Sequence, residues 1–320
     1  MHKLIRYVLS TWLCLLLSSG STAATSQSLT VILDWFVNPD HAPLIIAEQQ
    51  GFFKEQGLDV KLISPTDPND PAKWVAAGKA DIGITYEPEF MELVDQALPL
   101  VRFGTLVDKP LTCLVALKDN HHQSLTNLKG KRIGTSNGGL SNLLIQVMLE
   151  KQGLNKNDVE LVNLQYNLTQ ALLTKRVDAV AGLQRNVEVP ELELNGHKVA
   201  VYFPEEFGIP TYSELIFITH TAHTNDNRLP RFITAIKKAV RYMDEHPKET
   251  WNQFAKQYPE ANNPVNHESW FATMPYFAED PAAFNPEDWQ QFAVFMFKNK
   301  LITKVQPLSR YAITLRKDSV

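Results

Sequence analysis

The sequence predicts an α/β protein of two similar lobes, because one half-unit of the chain occurs twice. Each copy has a helix tail ending in Gln-Gly-Leu, an alternating strand, a short helix and a small-residue strand that carries Asp. The copies span residues 56–84 and 152–182. A helix that joins two strands of one sheet gives a parallel pair, so each copy is the βαβ core of its own lobe. Two lobes that face each other form a cleft suited to a small ligand.

The first residues of the chain predict an export signal at 1–24. Basic residues precede an apolar run at 7–17, and small residues follow up to Ala24. The run is too short to span a bilayer, and no cysteine follows a lipobox-like sequence. We therefore expect a periplasmic mature chain without a lipid anchor.

Charge and cysteine content exclude several classes of protein. The formal net charge of the 320 residues is −4, which does not favour nucleic acid or a membrane surface as the main partner. Of the two cysteines, Cys14 lies in the predicted signal and Cys113 lies in an apolar stretch. We expect no intramolecular disulfide and no metal site, and we interpret Cys113 as a buried small side chain rather than a catalytic thiol.

The order of elements predicts a discontinuous first lobe. A strand at 29–33 opens it, and Asp-Pro at 70–71 marks a helix start by an N-capping carboxylate followed by proline. A β-rich run at 111–117 carries the chain into a second lobe, and a strand at 215–219 brings it back. From residue 228 the pattern is helical and has no sheet of its own.

The lobe boundaries follow from that order. We expect the helical C-terminal tail to pack on the first lobe, which then comprises residues 28–110 and 218–320, with residues 111–217 inserted as the second lobe. Each lobe is predicted to be a mixed sheet flanked by helices. Two chain crossings between lobes predict a hinge.

Candidate ligand-binding residues follow the first strand, at the sheet edge where open α/β sheets bind ligands. Trp35 offers a stacking face, Asn38 an amide, and His41 an imidazole. The alternatives are that Trp35 fills a gap in the core and that His41 is a helix-start residue bonded to its own backbone.

Further candidates lie at other strand ends. Tyr86 and Glu87 follow the strand at 81–85, and we expect both to face the same crevice. Tyr212 and Glu214 stand at the second crossing, where a carboxylate could accept a hydrogen bond from an exocyclic amine. The alternative for Glu214 is a solvated side chain.

Asn137 and Gly138 precede a helix N-terminus, where backbone N–H groups can receive an anion or a polar ring edge. The sequence holds no GxSxG, HExxH, P-loop or dinucleotide motif, so we expect no enzyme activity. His121 and His122 lie in a polar loop and are interpreted as solvated rather than metal-bound.

The segment Leu-Asp-Trp-Phe-Val-Asn-Pro-Asp-His-Ala-Pro at 33–43, with its continuation at 51–60, resembles a known family. It is similar to the solute-binding proteins of the thiamine-pyrimidine-synthase-like group, which includes the formylaminopyrimidine-binding component of a bacterial ABC importer. The resemblance continues at 77–84, 171–173, 177–180 and 208–215.

The resemblance implies a type II periplasmic-binding-protein fold that captures formylaminopyrimidine or hydroxymethylpyrimidine between its lobes. Such a receptor delivers its ligand to a membrane permease with its ATPase. The resemblance also implies that Trp35, Asn38, Tyr86, Tyr212 and Glu214 line the cleft. We expect a monomer that needs no cofactor.

Two other functions stay open. A sister receptor would bind another flat heterocycle, such as riboflavin, or a small organic anion. The enzyme branch of the group makes the thiamine pyrimidine from pyridoxal phosphate and histidine, and it needs a lysine, a reactive histidine and a cysteine-rich stretch. Residues 85–90 hold neither His nor Lys, which disfavours the enzyme.

Overall fold

Two mixed sheets of five strands each organise the part of the chain that the computed structural model describes, residues 26–118, 124–136, 138–283 and 285–315. The predicted signal at 1–24, the pair His121-His122 and Asn137 lie outside these residues. The strands are β1 Gln27–Ile32, β2 Leu58–Ile63, β3 Ile82–Thr85, β4 Leu100–Val107, β5 Thr112–Leu117, β6 Arg132–Thr135, β7 Glu160–Asn163, β8 Ala179–Gln184, β9 Val199–Tyr202 and β10 Leu215–His220.

The α-helices flank the sheets or form the C-terminal tail. They are α1 Ala42–Gln49, α2 Phe52–Glu55, α3 Pro71–Ala76, α4 Glu87–Asp95, α5 Gly138–Glu150, α6 Leu168–Leu173, α7 Glu188–Leu194, α8 Arg228–Glu245, α9 Pro247–Gln257, α10 Pro264–Thr273 and α11 Pro286–Lys298. Among the described helices, none is both long and apolar enough to cross a bilayer.

Both sheets have the same topology. The strand order is β2-β1-β3-β10-β4 in the first and β7-β6-β8-β5-β9 in the second. In each sheet the first three strands are parallel, and the fourth is antiparallel to both of its neighbours. The predicted α/β fold of two lobes, each a mixed sheet flanked by helices, is confirmed. One detail differs: the two strands of each repeated unit lie on either side of a central strand instead of pairing directly.

Between the described strands, the chain passes from one sheet to the other twice. It leaves the first sheet after β4 and enters β5, and it returns from β9 into β10. The strand β10 belongs to the first sheet from Leu215 onward, because Leu215 already pairs with Val107 of β4. We therefore propose to place the second lobe boundary before Leu215 rather than at residue 218.

The C-terminal tail is helical, and prolines stand at the first turn of α9, α10 and α11. The helix α8 buries one apolar face against α1 and α2 of the first lobe. The tail also touches the second lobe, because α10 packs on α7. The expectation that the tail packs on the first lobe is therefore incomplete: its third helix reaches both lobes.

Helix starts near the cleft depart from the predicted capping. Asp70 precedes α3, but its side chain makes no capping bond and instead accepts a hydrogen bond from Thr66 Oγ1 at 3.3 Å. Asn38 caps a short 3₁₀ turn at Pro39–His41, where its Oδ1 accepts the Asp40 N–H at 2.8 Å. This turn connects β1 to α1 and fixes the conformation of the loop beside the cleft.

The lobes approach each other closely where α5 meets α4. A Cβ atom on Gly139 would lie 2.5 Å from the Cα atom of Glu89, closer than side-chain atoms tolerate. Glycine at this position therefore permits the close contact of the two helices.

Candidate functional site

A cavity of about 210 Å³ lies between the two sheets and receives side chains from both lobes. The loop after β1 forms one wall, because parallel strands deliver their following loops to a common edge of the sheet. Polar and aromatic side chains that line it include Asp34, Trp35, Asn38 and Tyr86 from the first lobe and Ser136, Ser141, Gln184 and Glu188 from the second.

Asp34 lies at the centre of a buried hydrogen-bond network in the first lobe. Its Oδ1 is 2.9 Å from His41 Nε2, and its Oδ2 accepts the Tyr86 hydroxyl at 2.9 Å. The exposed fractions are 3% for Asp34, 0% for His41 and 8% for Tyr86. Because both carboxylate oxygens have fixed partners, Asp34 is held in one orientation at the cavity wall.

The backbone determines which nitrogen of His41 carries the proton. The Asn38 N–H donates to His41 Nδ1 at 3.3 Å, so Nδ1 is the acceptor and Nε2 carries the hydrogen that Asp34 receives. Burial, followed by the charge of Asp34, raises the pKa of Tyr86 well above its usual range, so this phenol remains a donor. The Asp34 carboxylate therefore accepts two hydrogen bonds, one from His41 Nε2–H and one from the Tyr86 hydroxyl.

The second lobe contributes a carboxyl group on the opposite side. Glu188 stands at the first turn of α7, and its Oε2 accepts the Gln184 N–H at 2.8 Å. Burial raises the pKa of Glu188 to about 7. The cavity therefore has hydrogen-bonding carboxyl groups on both sides, and none of the described residues that line it is Lys or Arg.

Aromatic side chains of the two lobes meet beside the cavity. Trp35 packs against the apolar cluster of the second lobe, and its ring centroid lies 4.5 Å from that of Tyr166. Phe36, which is 51% exposed, lies 4.4 Å from the same tyrosine ring. Tyr166 thus covers the loop of the first lobe that presents Trp35.

Three of the sequence-predicted residues, Trp35, Asn38 and Tyr86, line the cavity. His41 is fully buried behind it and acts on the cavity through Asp34. The hypothesis that His41 bonds only its own backbone is thus too narrow, since it bonds both the backbone and a carboxylate.

Glu87 and Tyr212 do not line this cavity. They line a separate cavity of about 690 Å³ beside the second crossing. The expectation that Tyr86 and Glu87 face the same crevice is wrong, because Glu87 turns to accept the Ser213 N–H at 2.7 Å. Burial raises the pKa of Glu87 to about 8.

Glu214 joins the two crossings instead of facing the cavity. Its Oε2 accepts the N–H groups of Leu111 at 2.6 Å and of Thr112 at 3.1 Å, and its Oε1 accepts the Thr112 hydroxyl. The side chain is fully buried, and burial raises its pKa to about 7. Instead of the expected contact with a ligand amine or the alternative of a solvated side chain, the structure shows Glu214 buried and bonded to the other crossing segment.

The predicted anion site at the start of α5 is occupied by a protein contact in its described part. The Gly138 N–H donates to Asn69 Oδ1 of the first lobe at 3.3 Å. Asn137 lies outside the described residues. Cys113 is fully buried and its thiol donates to the Leu183 carbonyl at 3.2 Å, as expected for a structural side chain.

Sequence reasoning missed several cavity residues. Asp34 directly precedes Trp35 at the same strand end, so the signal that selected Trp35 applied to it equally. Gln184 ends β8 and Glu188 follows it, and β8 is the counterpart of β3 in the second repeat. Comparing the ends of equivalent strands in the two copies would have found them.

The cavity lies between two mixed sheets that are joined by crossing segments, and small-molecule sites occur preferentially at such interfaces between domains. The chain belongs to the NMT1/THI5-like family, whose model matches residues 38–250.

Several relatives extend over most of the chain. A Haemophilus influenzae protein named as a thiamine biosynthesis protein is 40% identical over 316 residues, 98% of this chain and 100% of that one. The formylaminopyrimidine-binding protein of Halalkalibacterium halodurans is 30% identical over 253 residues, 78% of this chain and 77% of that one. The 4-amino-5-hydroxymethyl-2-methylpyrimidine phosphate synthase of Aspergillus parasiticus is 28% identical over 269 residues, 80% of this chain and 78% of that one.

The fold is similar to that of solved solute-binding proteins. The alkanesulfonate-binding protein SsuA from Xanthomonas axonopodis pv. citri, bound to MOPS, has a TM-score of 0.73 at 15% identity, covering 91% of this chain and 99% of that one. At this identity the similarity concerns the fold alone. The fold is that of the periplasmic binding proteins.

Proposed function

We propose that the protein is the periplasmic solute-binding component of an ABC importer and captures a thiamine pyrimidine precursor, formylaminopyrimidine or hydroxymethylpyrimidine. The observation that carries the proposal is the cavity between the lobes, which is lined by both the Trp35 side chain and the buried acceptor Asp34. An aminopyrimidine is a flat neutral ring with an exocyclic amine, which suits an aromatic face and a fixed carboxylate.

The charge of the cavity supports a neutral or amine-bearing ligand. Asp34 and Glu188 favour N–H donors, and the described lining has no cationic side chain to hold an acidic group. A small organic anion is therefore disfavoured relative to a heterocycle. Riboflavin remains the alternative heterocycle, and the cavity of about 210 Å³ favours a smaller ring system.

Some relatives are named as synthases, but the residues that line the cavity give little support to a synthase function. The synthase chemistry uses pyridoxal phosphate and needs a lysine amine for the aldimine. The described residues that line this cavity include neither lysine nor cysteine, and His41 is buried behind Asp34. These residues do not fit a pyridoxal phosphate group, so the proposal is a binding protein rather than an enzyme.

The proposed mechanism is capture by closure. The lobes close on the ligand about the two crossing segments, and the permease with its ATPase recognises the closed form. The predicted export signal at 1–24 is consistent with a periplasmic site of action.

Calorimetric titration tests the proposal. The protein without residues 1–24 is titrated with formylaminopyrimidine, hydroxymethylpyrimidine, thiamine and riboflavin. Micromolar or tighter binding of a pyrimidine alone is the expected result. Binding of riboflavin alone, or of none of the four by a folded protein, rejects the proposed ligand. An absorbance band of a pyridoxal aldimine after incubation with pyridoxal phosphate favours the synthase.

A further inference from the structure

The loops that follow β2 and β7 meet across the mouth of the cleft. β2 and β7 are the edge strands of their sheets, each three strand positions away from the strand that continues a crossing, β10 or β5. At about 4.8 Å per strand, each loop is roughly 14 Å from that strand. A rotation about the crossings moves distant points most, so contacts between these loops are the most sensitive to lobe opening.

Two direct hydrogen bonds join the loops. The Tyr166 hydroxyl of the second lobe donates to the Pro65 carbonyl of the first at 3.0 Å. Gln165 Nε2 donates to Asp67 Oδ2 at 3.2 Å. Tyr166 also packs against the aromatic side chains beside the cavity, so these contacts are continuous with the cavity wall.

Asn69 adds a second pair of contacts beside the first. Its Nδ2 donates to the Ser136 carbonyl at 3.3 Å, and its Oδ1 accepts the Gly138 N–H at the same distance. The nitrogen and the oxygen of the Asn69 amide both form hydrogen bonds to the second lobe. This side chain is therefore complementary to the backbone acceptor and donor that it faces.

Each loop is held in shape by its own lobe. Asp67 Oδ1 accepts both the N–H and the side-chain amide of Asn69, at 2.9 and 3.0 Å. These bonds lower the pKa of Asp67, which keeps it an ionised acceptor. Asn163 Oδ1 accepts the Gln165 N–H at 3.1 Å, and Gln165 has a φ of +51°. The loops therefore present their contact groups without relying on each other.

We propose that these contacts form a clasp that holds the lobes closed and sets the rate of ligand release. It is made of Pro65, Asp67 and Asn69 in the first lobe and Ser136, Gly138, Gln165 and Tyr166 in the second. The proposal rests on the proposed capture function. Formation of the clasp follows ligand entry, because the loops block the mouth once they meet. The clasp therefore governs the dissociation rate and leaves the association rate nearly unchanged.

Stopped-flow fluorescence with hydroxymethylpyrimidine tests the kinetic part. Tyr166→Phe removes only the hydroxyl, and Gln165→Asn shortens the side chain while tolerating the positive φ. Each variant should raise the dissociation rate constant about three- to tenfold, with the association rate constant within twofold of wild type. Tyr242→Phe, which removes a hydroxyl bonded to Glu249 within the tail, is the matched control. Unchanged dissociation in both clasp variants overturns the proposal.

Cross-linking tests the clasp without depending on the ligand. The variant Asp67→Cys/Gln165→Cys is treated with a short bismaleimide, with the two single-cysteine variants as controls for the buried Cys113. Intramolecular cross-linking that increases with hydroxymethylpyrimidine supports both the clasp and the ligand.

The remaining outcomes separate the two proposals. Cross-linking above the controls that no pyrimidine changes, together with no pyrimidine binding in calorimetry, supports the clasp and rejects the ligand. Pyrimidine binding without cross-linking above the controls overturns the clasp and retains the ligand.

Discussion

The two lobes share a strand order but present different surfaces to the cavity. The first lobe presents Asp34, fixed by His41 and Tyr86 in a network that is almost fully buried. The second presents Glu188, whose described hydrogen bond comes from the backbone of Gln184, while its partly buried Tyr166 ring packs on Trp35 and Phe36 of the first lobe. The same topology therefore supports a preorganised platform on one side and a more adaptable cover on the other.

The difference suggests that the two lobes have different roles in the proposed capture of the ligand. A platform whose polar groups are already oriented pays little reorganisation on binding, so its contacts give most of the affinity. In the proposed mechanism, the second lobe moves as a cover that closes on the ligand and controls its release. Substitutions in the first lobe should therefore affect affinity more than equivalent substitutions in the second.

Substitution of Glu214, which bonds the two crossing segments to each other, tests whether this region contacts the ligand or only joins the two lobes. Burial raises its pKa to about 7 from 4.5, so the folded protein favours the protonated carboxyl. The stability contributed by that proton is full below about pH 4.5 and is lost as the pH rises through about 7. Glu214→Gln keeps the hydrogen-bonding shape and removes this titration.

We therefore expect Glu214→Gln to match wild type at pH 5 and to be more stable at pH 8, by up to about 3 kcal/mol. Urea unfolding at both pH values measures the difference. Glu87, whose pKa burial raises to about 8, shifts the stability of both proteins alike and cancels in the comparison. The ligand affinity of Glu214→Gln should equal that of wild type at pH 5. A loss of affinity only for amine-bearing ligands would indicate that Glu214 contacts the ligand.

Glu214 also illustrates what the sequence could and could not predict. Alternating strands, proline-marked helix starts and the repeated unit depend on local patterns, so the two sheets were predictable. The ends of β1 and β3 were predictable sites for Trp35, Asn38 and Tyr86, because parallel strands share an edge. Glu214 stands at a comparable strand start, but its direction is set by the N–H groups of a crossing about a hundred residues away.

Tyr166 gave no sequence signal, for a related reason. It lies in a polar loop of the second repeat, and its partners Trp35 and Pro65 come from the first lobe. Contacts made by bringing two lobes together have no period within either one. Residues that depend on lobe closure were therefore the ones that local patterns could not identify.

A pair of matched substitutions tests the difference between platform and cover directly. Asp34→Asn replaces the carboxylate with a neutral amide, so the exocyclic amine of the proposed ligand loses its charge-assisted hydrogen bond. We expect a loss of about 2–3 kcal/mol in binding of the preferred pyrimidine, which is roughly 30- to 140-fold in affinity. Glu188→Gln retains an oxygen for the Gln184 N–H, and its loss should stay below tenfold. Calorimetry measures both variants.

Equal losses for the two variants would contradict these different roles of the two lobes. Thermal unfolding without ligand serves as the control, because a destabilised but folded Asp34→Asn variant can still be titrated to saturation. His41→Ala offers an independent variant that leaves the carboxylate and removes one of its two donors.

The smallest expected effect concerns the stacking face of the platform. Trp35→Ala should weaken binding of an aromatic ligand by roughly 1–2 kcal/mol if the ring stacks on it, whereas Trp35→Phe retains a ring and should lose less. Because Trp35 also packs on the apolar cluster of the second lobe, its removal loosens the cover as well. Cross-linking separates the two effects. If Trp35→Ala removes only the stacking contact, the Asp67→Cys/Gln165→Cys pair still cross-links as in the protein that retains Trp35. Unchanged affinity in a folded Trp35→Ala variant would remove Trp35 from the platform and leave Asp34 as its main binding group.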